Sequence, residues 1–268
     1  MTFSKGEPGM AEEIMAACAE RNAAEPVRRY LGMSRAGLPC ERRIWFEFVR
    51  APCNGTNGRT ARIFDNGHAV EARVIRDLRL RYRVTDEQKE VSDFHGMFRG
   101  HIDGVIWAGE DGGPMLLEIK SANDDGFKGF RRHGIGIRPQ YRGQVLLYMH
   151  YLGLKEALFV VENKNNQNLH FERVPADPEA AEGLKARALS IMRAPGPPPA
   201  ESGDCYFCEW KSGLCWRMNG MEPLCMRCSM FVPRYWLRER GHCGDCDMCL
   251  LTLNTADRFG TCGGFSPR

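Results

Sequence analysis

Three charged residues set in two apolar runs carry the strongest chemical signal in this sequence. Asp103 lies in GHIDGVIW, residues 100–107, and Glu118 and Lys120 lie in LLEIK, residues 116–120, with Gly112, Gly113 and Pro114 between them. Two glycines and a proline favour a turn, so the two runs read as a hairpin. Successive strand residues point to opposite faces, which puts Leu116, Glu118 and Lys120 on one face and Leu117 and Ile119 on the other. Paired in this way, the strands set Asp103 beside Glu118. Two carboxylates that close repel each other and stay partly protonated unless a cation lies between them. Mg²⁺ or Mn²⁺ takes such hard oxygen ligands, can polarise a phosphate and lowers the pKa of a bound water. The lysine two residues on can orient that water or steady the developing charge. The ordinary alternative is a surface hairpin carrying an exposed Glu118–Lys120 pair.

The stretch after these strands adds a phosphate-binding signal. It holds Lys120, Lys128, Arg131, Arg132, Arg138 and Arg142 against Asp124 and Asp125, with Phe127, Phe130 and Tyr141 interleaved. Read as a loop, it offers cations to track a backbone and aromatics to stack on bases, as single strands require. Lys128, Arg131, Arg132, Arg138 and Arg142 are the candidate nucleic-acid contacts. A solvated basic loop is the alternative.

The surrounding pattern supplies elements to position these groups. Helical spacing predicts helices over 10–24, 40–50 and 62–80, and short alternating runs over 81–121 predict a sheet of several strands. Residues 139–153 open with proline and close with glycine, as helices do. EALFVVEN (156–163) and LHFERV (169–174) read as strands, residues 178–194 as a helix, and PGPPPAESGD (195–204) as a linker. The expectation is an α/β fold: a mixed central sheet flanked by helices, followed by a cysteine-rich tail. It divides into an N-terminal helical segment (1–33), a core (34–216) and the tail (217–268).

With 268 residues, 43% of them hydrophobic, the chain can build one good-sized core and an appendage. A net charge of +3 does not by itself argue for nucleic acid. No apolar run approaches the roughly 20 residues that cross a bilayer, and the first residues lack the basic-then-apolar order of a signal peptide. These features predict a cytoplasmic protein without a membrane partner. In that reducing compartment twelve cysteines favour metal over disulfides, and nine of them follow residue 204.

Asp103 followed by Glu118-Ile119-Lys120 resembles the PD-(D/E)XK nuclease signature, and more narrowly its RecB-like branch, which includes CRISPR-associated nucleases and phage homologues. That branch carries a histidine on a helix before the sheet, matched here by Gly67, His68 and Glu71 in NGHAVEA, and a Q-x-x-x-Y helix after it, matched by Gln144 and Tyr148 in QVLLY. The resemblance implies a restriction-endonuclease-like core. It implies that His68, Asp103, Glu118 and the backbone carbonyl of Ile119 bind the metal, that Lys120 is the catalytic lysine, and that Gln144 and Tyr148 hold the strand or the lysine. Glu71 is left between a metal-linked role and a solvated helix charge. The proline that leads the family's motif is replaced by Ile102.

Cys205, Cys208 and Cys215 form a compact triplet, one thiolate short of a four-ligand site, and Cys40 is the natural fourth. Cys₄ spacing alone does not separate zinc from iron. One cysteine ahead of the core and three behind it resembles the RecB-like iron–sulfur nucleases, which implies a [4Fe–4S] cluster stapling the two ends of the core. In the tail, Cys225 and Cys228 are followed by Cys243, Cys246, Cys249 and Cys262. Two CxxC pairs suggest a small zinc-ribbon-like site that folds on metal. A resemblance to cysteine-rich tails of phage proteins favours Cys225, Cys228, Cys243 and Cys262 as the Zn²⁺ ligands, with Cys246 and Cys249 as substitutes or a second site. Cys18 and Cys53 read as ordinary thiols.

These readings predict a Mg²⁺- or Mn²⁺-dependent deoxyribonuclease, an exonuclease on single-stranded DNA or DNA ends. The resemblance points to a phage gene acting in a bacterial cytoplasm, with recombination or replication proteins as partners. The alternative is a non-catalytic nucleic-acid-binding or regulatory adaptor that keeps a decayed core. The intact Asp103, Glu118 and Lys120 argue against it.

Overall fold

The computed structural model describes residues 8–26, 28–51, 53, 56–108, 113–199, 208–210 and 215. All six cysteines of the tail, and Cys205, lie outside the described residues. The helices are α1 (Pro8–Ala23), α2 (Glu41–Phe48), α3 (Gly58–Leu78), α4 (Asp124–His133), α5 (Pro139–Leu152) and α6 (Pro178–Arg193). The strands are β1 (Leu31–Gly32), β2 (Arg83–Thr85), β3 (Glu90–Asp93), β4 (Phe98–His101), β5 (Gly104–Trp107), β6 (Pro114–Ala122), β7 (Glu156–Asn163) and β8 (Leu169–Pro175).

The stretch expected as one sheet forms parts of two. A five-stranded sheet runs β2-β5-β6-β7-β8, and a three-stranded sheet runs β1-β4-β3. In the larger sheet β6 and β7 are parallel and the other neighbours antiparallel. Parallel neighbours need a crossover, and α4 and α5 provide it. β1 lies in the segment expected to be helical and pairs with β4, so the residues before 34 are built into the body of the protein.

β6 divides the core. Leu116 belongs to one cluster with Phe159, Val161 and the α5 residues Val145 to Met149, while Leu117 and Ile119 belong to the other with Val70, Val74 and Ile75 of α3. The expected alternation therefore holds, but both faces are covered, one by α5 and one by α3. α3 is started by Asn57, whose side chain accepts from the Thr60 amide at 2.9 Å. Arg73 of α3 then clamps onto the buried Glu162 of β7 at 2.5 Å. Gly143 through Met149 of α5 are buried, because the sheet covers one side and α6 with the 33–38 segment the other. That close approach depends on glycine: a Cβ on Gly37 would stand 2.4 Å from the Pro139 carbonyl oxygen. Among the described residues no helix is long and apolar enough to cross a membrane.

Candidate active site

The hairpin register ends at Gly104 opposite Leu117, so Asp103 stands one residue past the last pair, level with Glu118. Its carboxylate replaces the missing strand partner: Asp103 Oδ2 accepts from the Ile119 amide at 2.6 Å. A strand residue's carbonyl points to the same edge as its own amide, so the Ile119 carbonyl also lies on the Asp103 side. Glu118 is 0% exposed and Asp103 8%, which rules out an exposed surface pair. Lys120 Nζ donates to Glu118 Oε1, while Glu118 Oε2 is buried without a hydrogen-bond partner.

Burial raises the Glu118 carboxyl to about 8. Lys120 opposes the shift and the negative charge of Asp103 adds to it. Asp103 is also raised, again by burial, against the pull of Lys120, the Ile119 amide and His68. Lys120 is held above the ordinary lysine range: burial works against its charge, but Glu118 and Asp103 outweigh it. The site thus carries two buried carboxyl groups side by side, one lysine bonded to Glu118 and one orphaned Glu118 oxygen. Desolvated carboxylates with a spare lone pair suit a hard divalent cation, so the donor set fits Mg²⁺ or Mn²⁺. Among the described residues no three histidine, cysteine or carboxylate side chains converge closely enough to hold a metal.

The remaining residues gather around this pair to different degrees. His68 is exposed on α3 and acts on both Asp103 and Glu71 through its charge. Glu71 is half-buried, with its carboxyl raised by burial and then by Asp103. It accepts from Gln88 Nε2 at 2.5 Å, a partner that nothing in the sequence pattern announces. Gln144 Nε2 and the Tyr148 hydroxyl lie 3.3 Å apart, both buried beneath the Glu118 face. Burial, then the charge on Glu118, pushes the Tyr148 phenol above its ordinary range. Gly100 of β4 makes room for that ring, since a Cβ there would stand 2.3 Å from the Tyr148 hydroxyl. Gly100→Ala should therefore cost roughly 1–3 kcal/mol of stability, the usual penalty of overpacking a filled core. A urea titration compared with wild type measures it.

The basic stretch differs from the loop expected of it. Asn123 accepts from the Gly126 amide at 3.0 Å and starts α4, and Gly134, with a φ of 66°, ends it. Phe127 and Phe130 are buried, and Tyr141 is half-buried against Phe130 and Phe159. These rings serve the core and are withdrawn from any base. Their i,i+3 spacing was the available sign of a helix. Tyr141 instead lies 5.4 Å from Lys120 Nζ. Lys128 is paired with Asp124 and Arg142 with Asp177, while Arg131, Arg132 and Arg138 are exposed.

Away from this site, the segment after α6 folds back along α2. Arg42 Nε donates to the Pro198 carbonyl at 2.7 Å, Trp45 Nε1 to Ala194 at 3.2 Å and Trp210 Nε1 to Ala51 at 3.1 Å. Cys40 precedes α2, Cys208 packs on the core and Cys215 is buried in it. Cys53 is exposed, and partial desolvation, then the charges of Glu209 and Glu47, hold its thiol above the ordinary range. Among the described residues there is no disulfide.

No protein-family model matches the chain, and no curated protein matches it. Solved structures give distant likenesses. A complex of LHK-Exo with dAMP has a TM-score of 0.44 at 16% identity, over 68% of this chain and 90% of that one. The alkaline exonuclease LHK-Exo from Laribacter hongkongensis has a TM-score of 0.45 at 16% identity, with the same shares of 68% and 90%. SSO0001 has a TM-score of 0.46 at 15% identity, over 76% of this chain and 95% of that one. At these values the site itself must carry the functional reading.

Proposed function

We propose that the protein is a divalent-metal-dependent DNA nuclease of the PD-(D/E)XK type, acting as an exonuclease on single strands or DNA ends. The observation that carries this reading is the buried Asp103–Glu118 pair with Lys120 beside it. Burying two like charges against one lysine is costly, and a fold keeps such an arrangement where the charges are used. Asp103, Glu118 and the Ile119 carbonyl would hold the ion, and His68 would be a further ligand. A bound Mg²⁺ or Mn²⁺ supplies Lewis-acid polarisation of the phosphate and a water of lowered pKa. Lys120 stabilises negative charge on the phosphate and helps to aim the water. Gln144 and Tyr148 form the floor that keeps Glu118 and Lys120 in place, and Glu71, held by Gln88, lines the far side of Asp103.

The cysteines complete this reading. Cys40, Cys205, Cys208 and Cys215 hold a [4Fe–4S] cluster that ties the start of the core to its end. The hydrogen bonds of Arg42, Trp45 and Ala51 with residues 194–210 support it, because they bring the segment just after Cys40 to the segment that follows α6. Cys225, Cys228, Cys243 and Cys262 hold Zn²⁺ in the tail, as a separate domain after residue 216.

Anaerobically purified protein, incubated with labelled single-stranded DNA, should degrade it with Mg²⁺ or Mn²⁺ and not with EDTA. No degradation of DNA under either metal would favour the adaptor reading. The exposed arginines of α4 provide a second measurement. Replacing Arg131 and Arg132 by Ala together should weaken binding and flatten its salt dependence, by a log–log slope of about 0.7 for each phosphate that is no longer neutralised. An unchanged slope places the strand elsewhere.

A further inference from the structure

α3 is longer than the sheet it covers. Val70, Val74 and Leu78 are buried against the sheet, and the same stripe continues through Gly67 to Ile63, which is 44% exposed. The neighbouring stripe runs from the buried Ile75 through Glu71 and His68 to Phe64, which is 51% exposed. Residues four apart lie one above the other on a helix, so Phe64 stands directly beyond His68, and Glu71 on the same stripe accepts from Gln88 at 2.5 Å, whose own amide donates at 3.0 Å to the Ile102 carbonyl beside Asp103. The rise from His68 to Phe64 is about 6 Å, four residues at about 1.5 Å each. α1 packs on the first turns of α3, with Met15 against Gly58 and Arg21 paired to Asp65, which fixes that end of the helix. An aromatic ring and a branched aliphatic side chain are thus held open to solvent on a rigid element, in line with the candidate active site.

We propose that Phe64, with Ile63 beside it, is a stacking platform for an unpaired nucleobase of the strand whose phosphate lies at Asp103 and Glu118. The proposal rests on the nuclease reading and narrows it. A base held inside a duplex has both faces covered by its neighbours, so a ring at this place rewards a strand whose terminal or adjacent base is free. The aromatics of the basic stretch cannot do this, since Phe127 and Phe130 are buried. The charge pattern suits the same occupant, because Arg59 and Arg62 lie within the two turns that carry Ile63 and Phe64, and both are exposed.

The test is a binding cycle with the full-length chain carrying Asp103→Asn, so that strands are not consumed. A single abasic residue is walked along a fluorescent single-stranded oligonucleotide, and binding is read by anisotropy. At one position the missing base should weaken binding about 5- to 140-fold, the worth of one base–aromatic stack at 1.4 kcal/mol per decade. Phe64→Ala should weaken binding to the intact strand by a similar factor. The two effects together should be no larger than either alone, because both remove the same stack. Phe64→Trp should restore binding, and the exposed position means that neither variant should shift the thermal midpoint by more than about 2 °C. A flat abasic scan, or effects that simply add, overturns the platform. Cleavage by the protein with native Asp103 is scored separately. Cleavage with a flat scan sinks the platform alone, a non-additive cycle without cleavage sinks the nuclease reading alone, and no binding to any strand sinks both.

Discussion

Asp103→Asn should reduce cleavage by about 10³-fold while leaving the metal-free protein at least as stable as wild type. The reduction follows from removing one anionic oxygen from a site whose metal-borne stabilisation is worth several kcal/mol, at 1.36 kcal/mol per tenfold in rate. The retained stability follows from the local geometry. An asparagine oxygen can still accept from the Ile119 amide, the bond that fastens Asp103 to β6. Meanwhile the substitution removes a charge whose burial outweighs the attraction of Lys120. Leaving a buried charge in place for function and gaining stability by deleting it is a recurrent trade at active sites. The measurement is initial rates on labelled DNA beside a thermal melt in EDTA. Wild-type turnover in this variant would show that the site is assigned wrongly, and a marked drop in stability would show that Asp103 is a structural group.

The second large effect concerns Cys40. It precedes Cys205 by 165 positions (205 − 40), so a shared cluster closes a very long loop. Cross-linking distant positions restricts the unfolded chain, by a few kcal/mol on the entropy argument, and metal bound only by the folded state adds to this. Cys40→Ser should lower the iron content of anaerobically prepared protein, weaken absorbance near 400 nm and reduce the thermal midpoint by several degrees. Zinc should be retained under the proposed assignment, which gives the tail a different set of thiolates. Full iron in Cys40→Ser alongside depleted iron in Cys205→Ser would move the fourth ligand to another residue. The tail cysteines and Cys53 are the residues to test next.

Much of the site was legible because its signals are local. Strand alternation fixes the side on which Glu118 and Lys120 lie, and the antiparallel register of β5 with β6 brings Asp103 level with Glu118. Helix ends were legible where caps are strong, as at Pro139 and Gly153 around α5. What pattern could not supply came from packing at long range. The Gly100 gap for Tyr148, the Gln88 amide on Glu71 and the Arg73–Glu162 clamp each join residues whose separation in sequence carries no periodic sign. α4 was missed for a different reason. Its basic residues drew attention to charge, while Phe127 and Phe130, read as base-stacking side chains, are core residues at helical spacing. The split into two sheets was hidden because β3, β4 and β5 are each four residues long, too short to announce which edge they will join.

The parallel pairing of β6 with β7 also sets when the candidate site can be completed. Glu118 lies opposite Phe159, and the crossover between them contains α5, whose Tyr148 closes the pocket over the acid. A nascent chain that has released only the β5–β6 hairpin can bring Asp103 near Glu118, yet it cannot bury them. Ribosomes add about 5–20 residues per second, and pairings of long sequence separation form late. The candidate site is therefore completed only after its central strand has docked against β7, late in the synthesis of the core.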